Sequence, residues 1–367
     1  MMHHVHYFLR SATDWIFRKR HPGLALIRWA LFLAAFLAGG LAFSLTLPFT
    51  TGPMNLSYTT DTGPASVITW ILLLLVLVLV AVGLWLLFAD RKQLARQRVI
   101  AVEFRGLHDG GGAALEDAVP DRFDARRDGL VMDVRQGLID GVIVDPEVAV
   151  RKLASLRDQL ASRESGRDRR DLRYVVGGIA PVPLLFLAGL LLDDETPVTF
   201  MDWDRSARIW RELDGPDDGA RFTVSGLDAL EDDADAIVLA IGYSFPVDLP
   251  AAQARVGDLP VVALTAPSHS TTTHWSEDKQ KALSQQLIDV MIAIKGKRAK
   301  LIHIFLAAPA SLTLRFGTHY DQRLYPRAIV HQYEGGSPSR FSWAIRLPTD
   351  ALHAASVIPA DADPTRD

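Results

Sequence analysis

The sequence predicts an integral membrane protein, with two transmembrane helices near the N-terminus and a large α/β region on the cytosolic side. Three observations predict this class. Two long apolar stretches lie before residue 99. After residue 170, apolar runs of strand length alternate with helical stretches, and one strand–turn–helix segment occurs twice. The 367 residues leave room for a membrane segment and roughly two soluble domains.

The two apolar stretches are long enough to cross a bilayer. The first covers residues 24–48 with Arg28 as its one charge, and the second covers residues 65–89 with no charge. At about 1.5 Å per residue, each exceeds the roughly 30 Å hydrocarbon core. The second stretch is apolar on every face, which favours lipid over a protein core. The pair Gly39-Gly40 either allows close helix contact or is simply tolerated.

Basic residues predict the orientation of these spans. The connecting loop, residues 49–64, contains no lysine or arginine. Basic residues instead precede or open the first span and follow the second: Arg10, Arg18, Lys19, Arg20, Arg28, Arg91, Lys92, Arg96 and Arg98. The positive-inside rule therefore predicts a two-pass protein with both termini in the cytoplasm.

The domain organisation follows from changes in pattern along the chain. Residues 1–98 form the N-terminal segment with its two spans. Residues 99–170 are predicted to form a small connecting α/β module that ends in a charged linker, with a helix starting at Asp145-Pro146. Residues 171–348 contain the main run of strands and helices. The polar tail, residues 349–367, is predicted to be disordered.

An internal repeat is the most informative feature of residues 171–348. After one strand the chain reads Ala-Pro-Val-Pro-Leu from residue 180 and reaches Gly189. After another it reads Ala-Pro-Ala-Ser-Leu from residue 308 and reaches Gly317, an offset of 128 positions. The next strands end in Asp-Trp-Asp at residues 202–204 and Gln-Tyr-Glu at residues 332–334. The repeat predicts two related half-domains.

Such a repeat indicates a ligand site. A strand that turns through small residues into a helix presents backbone N–H groups and the positive end of the helix dipole to an anion. Ligands of α/β sheets bind beyond the carboxyl ends of the strands, where two aromatic residues could stack on bases. The alternative is that the prolines only start helices and the aromatics only pack. The predicted ligand-binding residues are Gly177, Gly178, Ala180, Pro181, Trp203, Tyr243, Thr265, Ala308, Pro309, Ser311 and Tyr333.

Residues 301–317, Leu-Ile-His-Ile-Phe-Leu-Ala-Ala-Pro-Ala-Ser-Leu-Thr-Leu-Arg-Phe-Gly, together with residues 329–333, resemble the SAVED domain, the effector sensor of bacterial CBASS anti-phage systems. Residues 177–189 and the strand with Trp203 resemble its first half. The expected fold is therefore an N-terminal two-helix transmembrane hairpin plus a cytosolic α/β SAVED domain of two fused CARF-like Rossmann halves. Two spans before this domain resemble the two-transmembrane SAVED effectors.

The resemblance implies a function and its partners. The expected ligand is a cyclic oligonucleotide, a cyclic trinucleotide above all, made by a CD-NTase-type cyclase, and no other cofactor is expected. The expected location is the bacterial inner membrane. Because two spans are too few to enclose a conduit, we expect ligand-induced homo-oligomers to disrupt the inner membrane.

Composition and motifs narrow the alternatives. The chain has no cysteine, which excludes disulfides, thiolate nucleophiles and cysteine-ligated zinc. Its net charge of −4 gives no indication of DNA or RNA duplex binding. The sequence contains no phosphate-binding glycine motif and no zinc-hydrolase motif, and His269 and His274 flank a polar loop rather than a metal site. A sensor without catalytic or metal residues is therefore expected. A membrane-anchored enzyme that uses a nucleotide or cleaves a cyclic nucleotide, and a passive anchor, are the alternatives.

Overall fold

The computed structural model describes residues 22–38, 43–49, 52–58, 67–106, 113–123, 125–135, 138–139, 142–143, 145–192, 197–335, 339–349, 354–359 and 361–362. The chain divides into two compact units, Met1–Arg96 and Gln97–Asp367. Each unit is described by itself.

In the N-terminal unit the described residues form α1 (Pro22–Ala38), β1 (Phe43–Phe49), β2 (Gly52–Tyr58) and α2 (Val67–Arg96). The first span, predicted over residues 24–48, therefore differs from the structure in its second half. Helix α1 ends at Ala38, and β1 pairs antiparallel with β2. The sequence accounts for the change, because a glycine pair follows α1 and Pro48 cannot continue a helix.

Helix α2 carries the clearest membrane signal. Within the described residues, Trp70–Ala89 is the one helical segment long and apolar enough to cross a membrane, with a mean hydropathy of 3.3. Helices α1 and α2 touch through two glycines. A Cβ on Gly23 would lie 2.6 Å from the carbonyl oxygen of Gly83, and a Cβ on Gly83 would lie 2.8 Å from that of Gly23. The predicted contact at Gly39-Gly40 lies outside the described residues.

The described residues of the second unit form two larger sheets. The first has the strand order β4-β3-β7-β8-β9, in which β9 alone is antiparallel to its neighbour. Its strands are β3 (Arg98–Arg105), β4 (Arg126–Asp133), β7 (Leu172–Ile179), β8 (Val198–Asp204) and β9 (Ile209–Glu212). The helices of this half are α3 (Pro146–Ala154), α4 (Leu156–Glu164) and α5 (Val182–Leu191), and β5 (Leu138–Ile139) pairs with β6 (Val142–Ile143).

Residues 99–170 are not a separate module, in contrast to the prediction. Strand β3 lies between β4 and β7 and pairs with both along its whole length, from Arg98 to Arg105. Six successive residues of β3 are buried, so the strand needs neighbours at both edges and cover on both faces. The predicted helix start is present, since the Asp145 carboxylate accepts a hydrogen bond from the N–H of Val148.

The second sheet has the order β10-β12-β11-β13-β14-β15-β16. Its strands are β10 (Thr223–Ser225), β11 (Ala236–Gly242), β12 (Val261–Thr265), β13 (Leu301–Ala307), β14 (Arg327–Tyr333), β15 (Phe341–Arg346) and β16 (Ser356–Ile358). Its helices are α6 (Leu249–Val256), α7 (Glu277–Gly296) and α8 (Ala310–Thr318).

Strand β16 differs from the predicted disorder of residues 349–367. It pairs antiparallel with β15. Beyond it, the Arg255 guanidinium donates hydrogen bonds to the carbonyls of Pro359 and Ala362, at 2.8 and 2.9 Å. Backbone pairing and these two bonds hold a segment whose composition alone favours disorder.

The two sheets share one topology. The order β4-β3-β7-β8-β9 corresponds to β12-β11-β13-β14-β15, with the same strand directions. Helices α5 and α8 follow equivalent strands, begin 128 residues apart, and both have proline as N-cap. The registers also agree, because Tyr174 pairs with Val198 as Ile302 pairs with Ala328. The repeat seen in the sequence is therefore a repeat of whole half-sheets.

Helices α5 and α8 cross at the two glycines that recur in the repeat. A Cβ on Gly189 would lie 2.0 Å from the carbonyl oxygen of Leu314, and a Cβ on Gly317 would lie 2.1 Å from that of Phe186. Backbone therefore packs directly on backbone at this crossing. One apolar core cluster continues through both halves around it.

Candidate functional site

The carboxyl ends of the two half-sheets meet at a buried contact between Asp202 of β8 and Ser311 of α8. The Oδ2 atom of Asp202 accepts hydrogen bonds from the backbone N–H and the hydroxyl of Ser311, at 3.0 and 2.8 Å. Both residues are buried. A carboxylate of the first half thus occupies the N-terminus of α8, where the sequence predicted an anion site for the ligand.

Further polar groups surround this carboxylate. Gln280 of α7 donates from Nε2 to the Ser311 hydroxyl at 2.8 Å and to the His274 carbonyl at 3.0 Å. The Nε2 atom of His274 lies 3.4 Å from Oδ2 of Asp202. All four residues are buried. Because hydrogen bonds gain strength in such a low-dielectric setting, the cluster fixes β8, α7, α8 and the loop before α7 against one another.

The N-terminus of α5 offers fewer donors than the sequence reasoning assumed. The N-cap Pro181 and the second helical residue Pro183 carry no N–H. The N–H groups of Leu184 and Leu185 donate to the Pro181 carbonyl, each at 3.0 Å. The predicted pair of equivalent anion sites is therefore not formed by backbone N–H groups alone.

Gly177, Gly178 and Ala180 lie in packed interior. A Cβ on Gly177 would lie 2.8 Å from the ring of Trp210, and one on Gly178 would lie 2.8 Å from Leu185. Ala180 is 7 % exposed. Neighbouring side chains fill the space beside these small residues. A ligand therefore cannot make the close approach to their backbone that the sequence had predicted.

Trp203 and Tyr333 occupy equivalent strand ends in different surroundings. Trp203 is half-buried, and its ring packs edge-on against Trp210 at 5.3 Å between centroids. Tyr333 is 46 % exposed, with its ring 5.5 Å from that of Phe341. Of the two predicted stacking residues, Tyr333 keeps the more open ring.

The remaining predicted residues divide between rim and interior. Tyr243 is buried, and its hydroxyl lies 3.2 Å from that of Thr273. Thr265 is exposed at the end of β12, and Ala308 and Pro309 are half-exposed. The structure therefore assembles an open rim in the second half from Thr265, Ala308, Pro309 and Tyr333.

Basic residues near this edge were missed by the sequence reasoning. Lys279 of α7 is buried and donates to Asp218 at 2.8 Å. Burial alone would lower the pKa of Lys279, but hydrogen bonds to Asp218 and Tyr243 raise it, so the ammonium stays charged. Arg205 and Arg208 are exposed in the turn after β8. Their position directly after the Asp-Trp-Asp triplet could have identified them from the sequence.

Within the described part of the chain, no three His, Asp or Glu side chains are grouped so that they could hold a metal ion. His269 is exposed with Nδ1 3.4 Å from the Tyr243 carbonyl, whereas His274 belongs to the buried cluster. A partly open apolar cavity of about 10 Å³ between α5, α7, α8 and the second sheet is far too small for a nucleotide.

Comparison with known families gives two matches. A family model described as "SMODS-associated and fused to various effectors sensor domain" matches residues 156–347. A second, described as "SAVED-fused 2TM effector domain", matches residues 2–150. No curated protein matches the chain.

Among solved structures, the chain matches Cap4 SAVED/CARF-domain containing receptors. The Acinetobacter baumannii receptor with the cyclic trinucleotide 2'3'3'-cAAA is 13 % identical, with a TM-score of 0.44, and the match covers 74 % of this chain and 59 % of that one. The same receptor with 3'3'3'-cAAA is 14 % identical, with the same TM-score and coverage. The Moraxella osloensis receptor is 13 % identical with a TM-score of 0.43, covering 69 % of this chain and 51 % of that one. The chain thus spans less than two thirds of these receptors' length.

Proposed function

Because the chain belongs to the SAVED family and joins this sensor domain to a SAVED-fused 2TM effector domain, we propose that it is a membrane-anchored sensor-effector of antiviral defence. Its SAVED domain binds a cyclic oligonucleotide second messenger. The protein then oligomerises and disrupts the inner membrane.

The observation that carries the ligand proposal is the shared carboxyl edge of two half-sheets with one topology, joined through Asp202 and Ser311. In α/β sheets this edge is where ligands bind. Two similar but non-identical half-sites side by side suit a ring of repeated nucleotides. The exposed or half-exposed residues at this edge, Thr265, Pro309 and Tyr333 foremost, are the proposed contacts.

The chemistry of the edge suits a nucleotide with both base and phosphate. Trp203 and Tyr333 offer aromatic rings to bases, and stacking of this kind contributes about 1–3 kcal/mol per base. Arg205 and Arg208 offer guanidinium groups to phosphates. The Asp204 carboxylate accepts hydrogen bonds from base amino groups more readily than it tolerates phosphate. We propose a cyclic trinucleotide from a CD-NTase-type cyclase, as the family resemblance implies.

The effector step follows from what a short membrane segment can do. One uncharged segment such as Trp70–Ala89 crosses lipid without harm, so damage requires many copies together. A ligand promotes association only if it binds the associating state more tightly. Two non-identical halves favour head-to-tail contacts, which extend without closing. We propose a two-pass topology with cytoplasmic termini, testable by the access of an impermeant reagent to tags at positions 52 and 367.

The test of the proposal is ligand binding by the full-length protein in detergent. Cyclic trinucleotides, cyclic dinucleotides and the matching linear trinucleotides are compared by thermal unfolding. A cyclic ligand at about 100 times its Kd should stabilise the protein by about 2.7 kcal/mol. Chromatography of the recovered ligand separates the sensor from a cyclic-nucleotide-cleaving enzyme, because a sensor returns the ring intact. No stabilisation by any cyclic oligonucleotide would contradict the proposal.

Size distribution and dye entry then test the effector step. Ligand should convert the detergent-solubilised protein to larger species, and co-expression with the cyclase should admit dye into cells. A single size with saturating ligand, together with sealed membranes, would remove the effector step and leave the sensor intact.

A further inference from the structure

The amino-terminal edge of the first half-sheet gathers arginines. Strands β3, β4 and β7 run parallel and start level with one another, because Arg98 pairs with both Arg126 and Leu172. The segment before β7, residues 165–170, is fully exposed at the same edge. This edge lies opposite the carboxyl edge proposed to bind the nucleotide.

Acidic residues at this edge neutralise part of its charge. Asp128 lies 3.1 Å from Arg98 and 3.6 Å from Arg163, so one carboxylate serves two guanidinium groups. Asp121 pairs with Arg127 at 2.8 Å. Two further carboxylates, Asp168 and Asp171, lie between the remaining arginines in the chain.

Further arginines are exposed at this edge. The exposed arginines that form no ion pair with a described residue are Arg126, Arg167, Arg170 and Arg173. These four guanidinium groups outnumber Asp168 and Asp171, and a surface with an excess of positive charge attracts anions. Guanidinium is also the side chain that suits phosphate geometry best.

The connection between α2 and β3 indicates which phosphate-bearing anion this edge would bind. Helix α2 ends at Arg96 and β3 begins at Arg98, with Gln97 alone between them. One residue spans at most about 3.6 Å, so β3 begins directly after α2, whose apolar segment ends at Ala89. The sequence of the last turns of α2 adds further basic residues, Arg91, Lys92 and Arg96. A chain whose apolar helix lies in a bilayer is always near phospholipid headgroups, so connectivity favours these among phosphate-bearing partners.

We propose that the arginine edge, defined by Arg126, Arg167, Arg170 and Arg173, binds anionic phospholipid headgroups. The contact holds the amino edge of the first half-sheet on the membrane surface. The opposite edge stays accessible to a soluble ligand and to other copies. Each arginine near an anionic surface favours the contact by about fivefold.

Site-specific quenching tests this contact in the full chain, since the protein has no cysteine to replace. Ser165 is exposed at the arginine edge, and Ala207 is exposed in the turn at the opposite edge. The variants S165C and A207C are each labelled with a dye and reconstituted in phosphatidylcholine, or in phosphatidylcholine with phosphatidylglycerol. Lipid with a nitroxide on its headgroup is the quencher.

The dye at position 165 should be quenched in the anionic bilayer, and the dye at position 207 should not. The equilibrium constant of the contact, obtained from the quenched fraction at position 165, should fall about fivefold per arginine removed in R167Q/R170Q. It should also fall at about 1 M NaCl, where the Debye length is about 3 Å. The matched variant R205Q/R208Q removes two exposed arginines from the opposite edge and should leave it unchanged. Unaltered thermal unfolding of R167Q/R170Q shows that the fold is kept.

Two results would overturn the proposal. Absence of quenching in the anionic bilayer means that headgroups do not reach this edge. Equal quenching in neutral lipid, or in R167Q/R170Q, means that the tether alone keeps the edge near the membrane. The experiment contains no nucleotide, so its outcome is independent of the proposed sensor function.

Discussion

The two halves of the second unit share the hydrogen bonds that build the sheets and differ in the side chains at the ligand edge. The N–H of Gly106 donates to the carbonyl of Ile179 at 2.7 Å, as the N–H of Tyr243 donates to that of Ala307 at 2.9 Å. At this equivalent position the first half has Gly106, which has no side chain, and the second half has the buried Tyr243. The backbone scaffold is thus duplicated, while the edge has diverged into two unequal half-sites.

The polar contact between the halves is equally one-sided. Asp202 of the first half binds the N-terminus of α8 in the second. Its register equivalent is Gln332, whose Nε2 donates to the Tyr333 carbonyl at 2.9 Å. The reciprocal bond cannot form, because the equivalent of Ser311 in α5 is Pro183, which has no N–H. A cyclic ligand laid across this edge would therefore meet a different subsite in each half.

The helix crossing is the most symmetric part of the molecule, so equivalent substitutions there should have equally large effects. In G189A and G317A the new Cβ would lie 2.0 and 2.1 Å from a backbone oxygen. Each should destabilise the protein by at least about 3 kcal/mol, because the two helices must separate. Thermal unfolding of the detergent-solubilised chain measures this.

A matched glycine provides the control. A Cβ added to Gly296, at the end of α7, would have no heavy atom within 4 Å. G296A should therefore change stability by less than about 1 kcal/mol, in the stabilising direction expected for alanine in a helix. A tolerated G317A would show that the crossing is looser than the structure has it.

The next largest effect tests the one-sided contact. D202A leaves the buried N–H and hydroxyl of Ser311 without their acceptor, which should cost about 2–4 kcal/mol. Q332A, at the equivalent strand position, should cost less than about 1 kcal/mol. The two unfolding temperatures, measured side by side, should differ by several degrees. Equal losses would mean that the halves are more alike than their edge contacts indicate.

The difference between Asp202 and Gln332 also shows how far the sequence alone can predict the structure. The strands and helix α7 could be predicted from local patterns, because buried parallel strands are almost continuously apolar and α7 has acidic residues first and Lys295 last. The pairing of β3 with β7 could not be predicted in this way, because strand neighbours far apart in sequence leave no local signal.

The site shows the same limit. Asp202 was noticed only as a neighbour of Trp203, and its partner Ser311 is 109 residues away. The repeated glycines and prolines indicated a ligand, yet Gly189 and Gly317 repeat because two helices cross there. A repeated small residue indicates that another group lies close to the backbone at that position. The sequence does not say whether that group is a ligand or a second helix.

The two strand-end aromatics provide the third test, with an effect on ligand binding. Y333A should weaken binding of the cyclic oligonucleotide by about tenfold to a hundredfold through lost stacking, with little change in thermal stability because the ring is 46 % exposed. Y333F, which keeps the ring, should bind normally. W203A should lower both affinity and stability, because its ring packs on Trp210. Unchanged affinity in Y333A would remove this tyrosine from the proposed site.

The smallest effect concerns a pair of buried histidines that the first half lacks. His303 and His331 lie on β13 and β14, with Nδ1 of His303 3.0 Å from Nε2 of His331. The equivalent positions in the first half carry Val175 and Met201, which pack in an apolar cluster. Burial, and then the nearby charges of His303 and Arg255, hold the pKa of His331 well below its usual value.

The sign of the resulting pH dependence follows from that lowered pKa. His331 stays neutral in the folded protein, whereas an unfolded histidine takes up a proton below about pH 6.5. The unfolded state therefore binds more protons there, and stability falls as the pH drops below about 6.5, by up to about 1.4 kcal/mol per pH unit for one proton.

The variant H303V/H331M, which copies the first half, should lose less stability over the same range. Thermal unfolding of both proteins from pH 7.5 to pH 5 measures the difference, and every other histidine contributes equally to the two curves. Parallel curves would mean that His331 is protonated inside the folded sheet, and the two halves would then respond to acid alike despite their different cores.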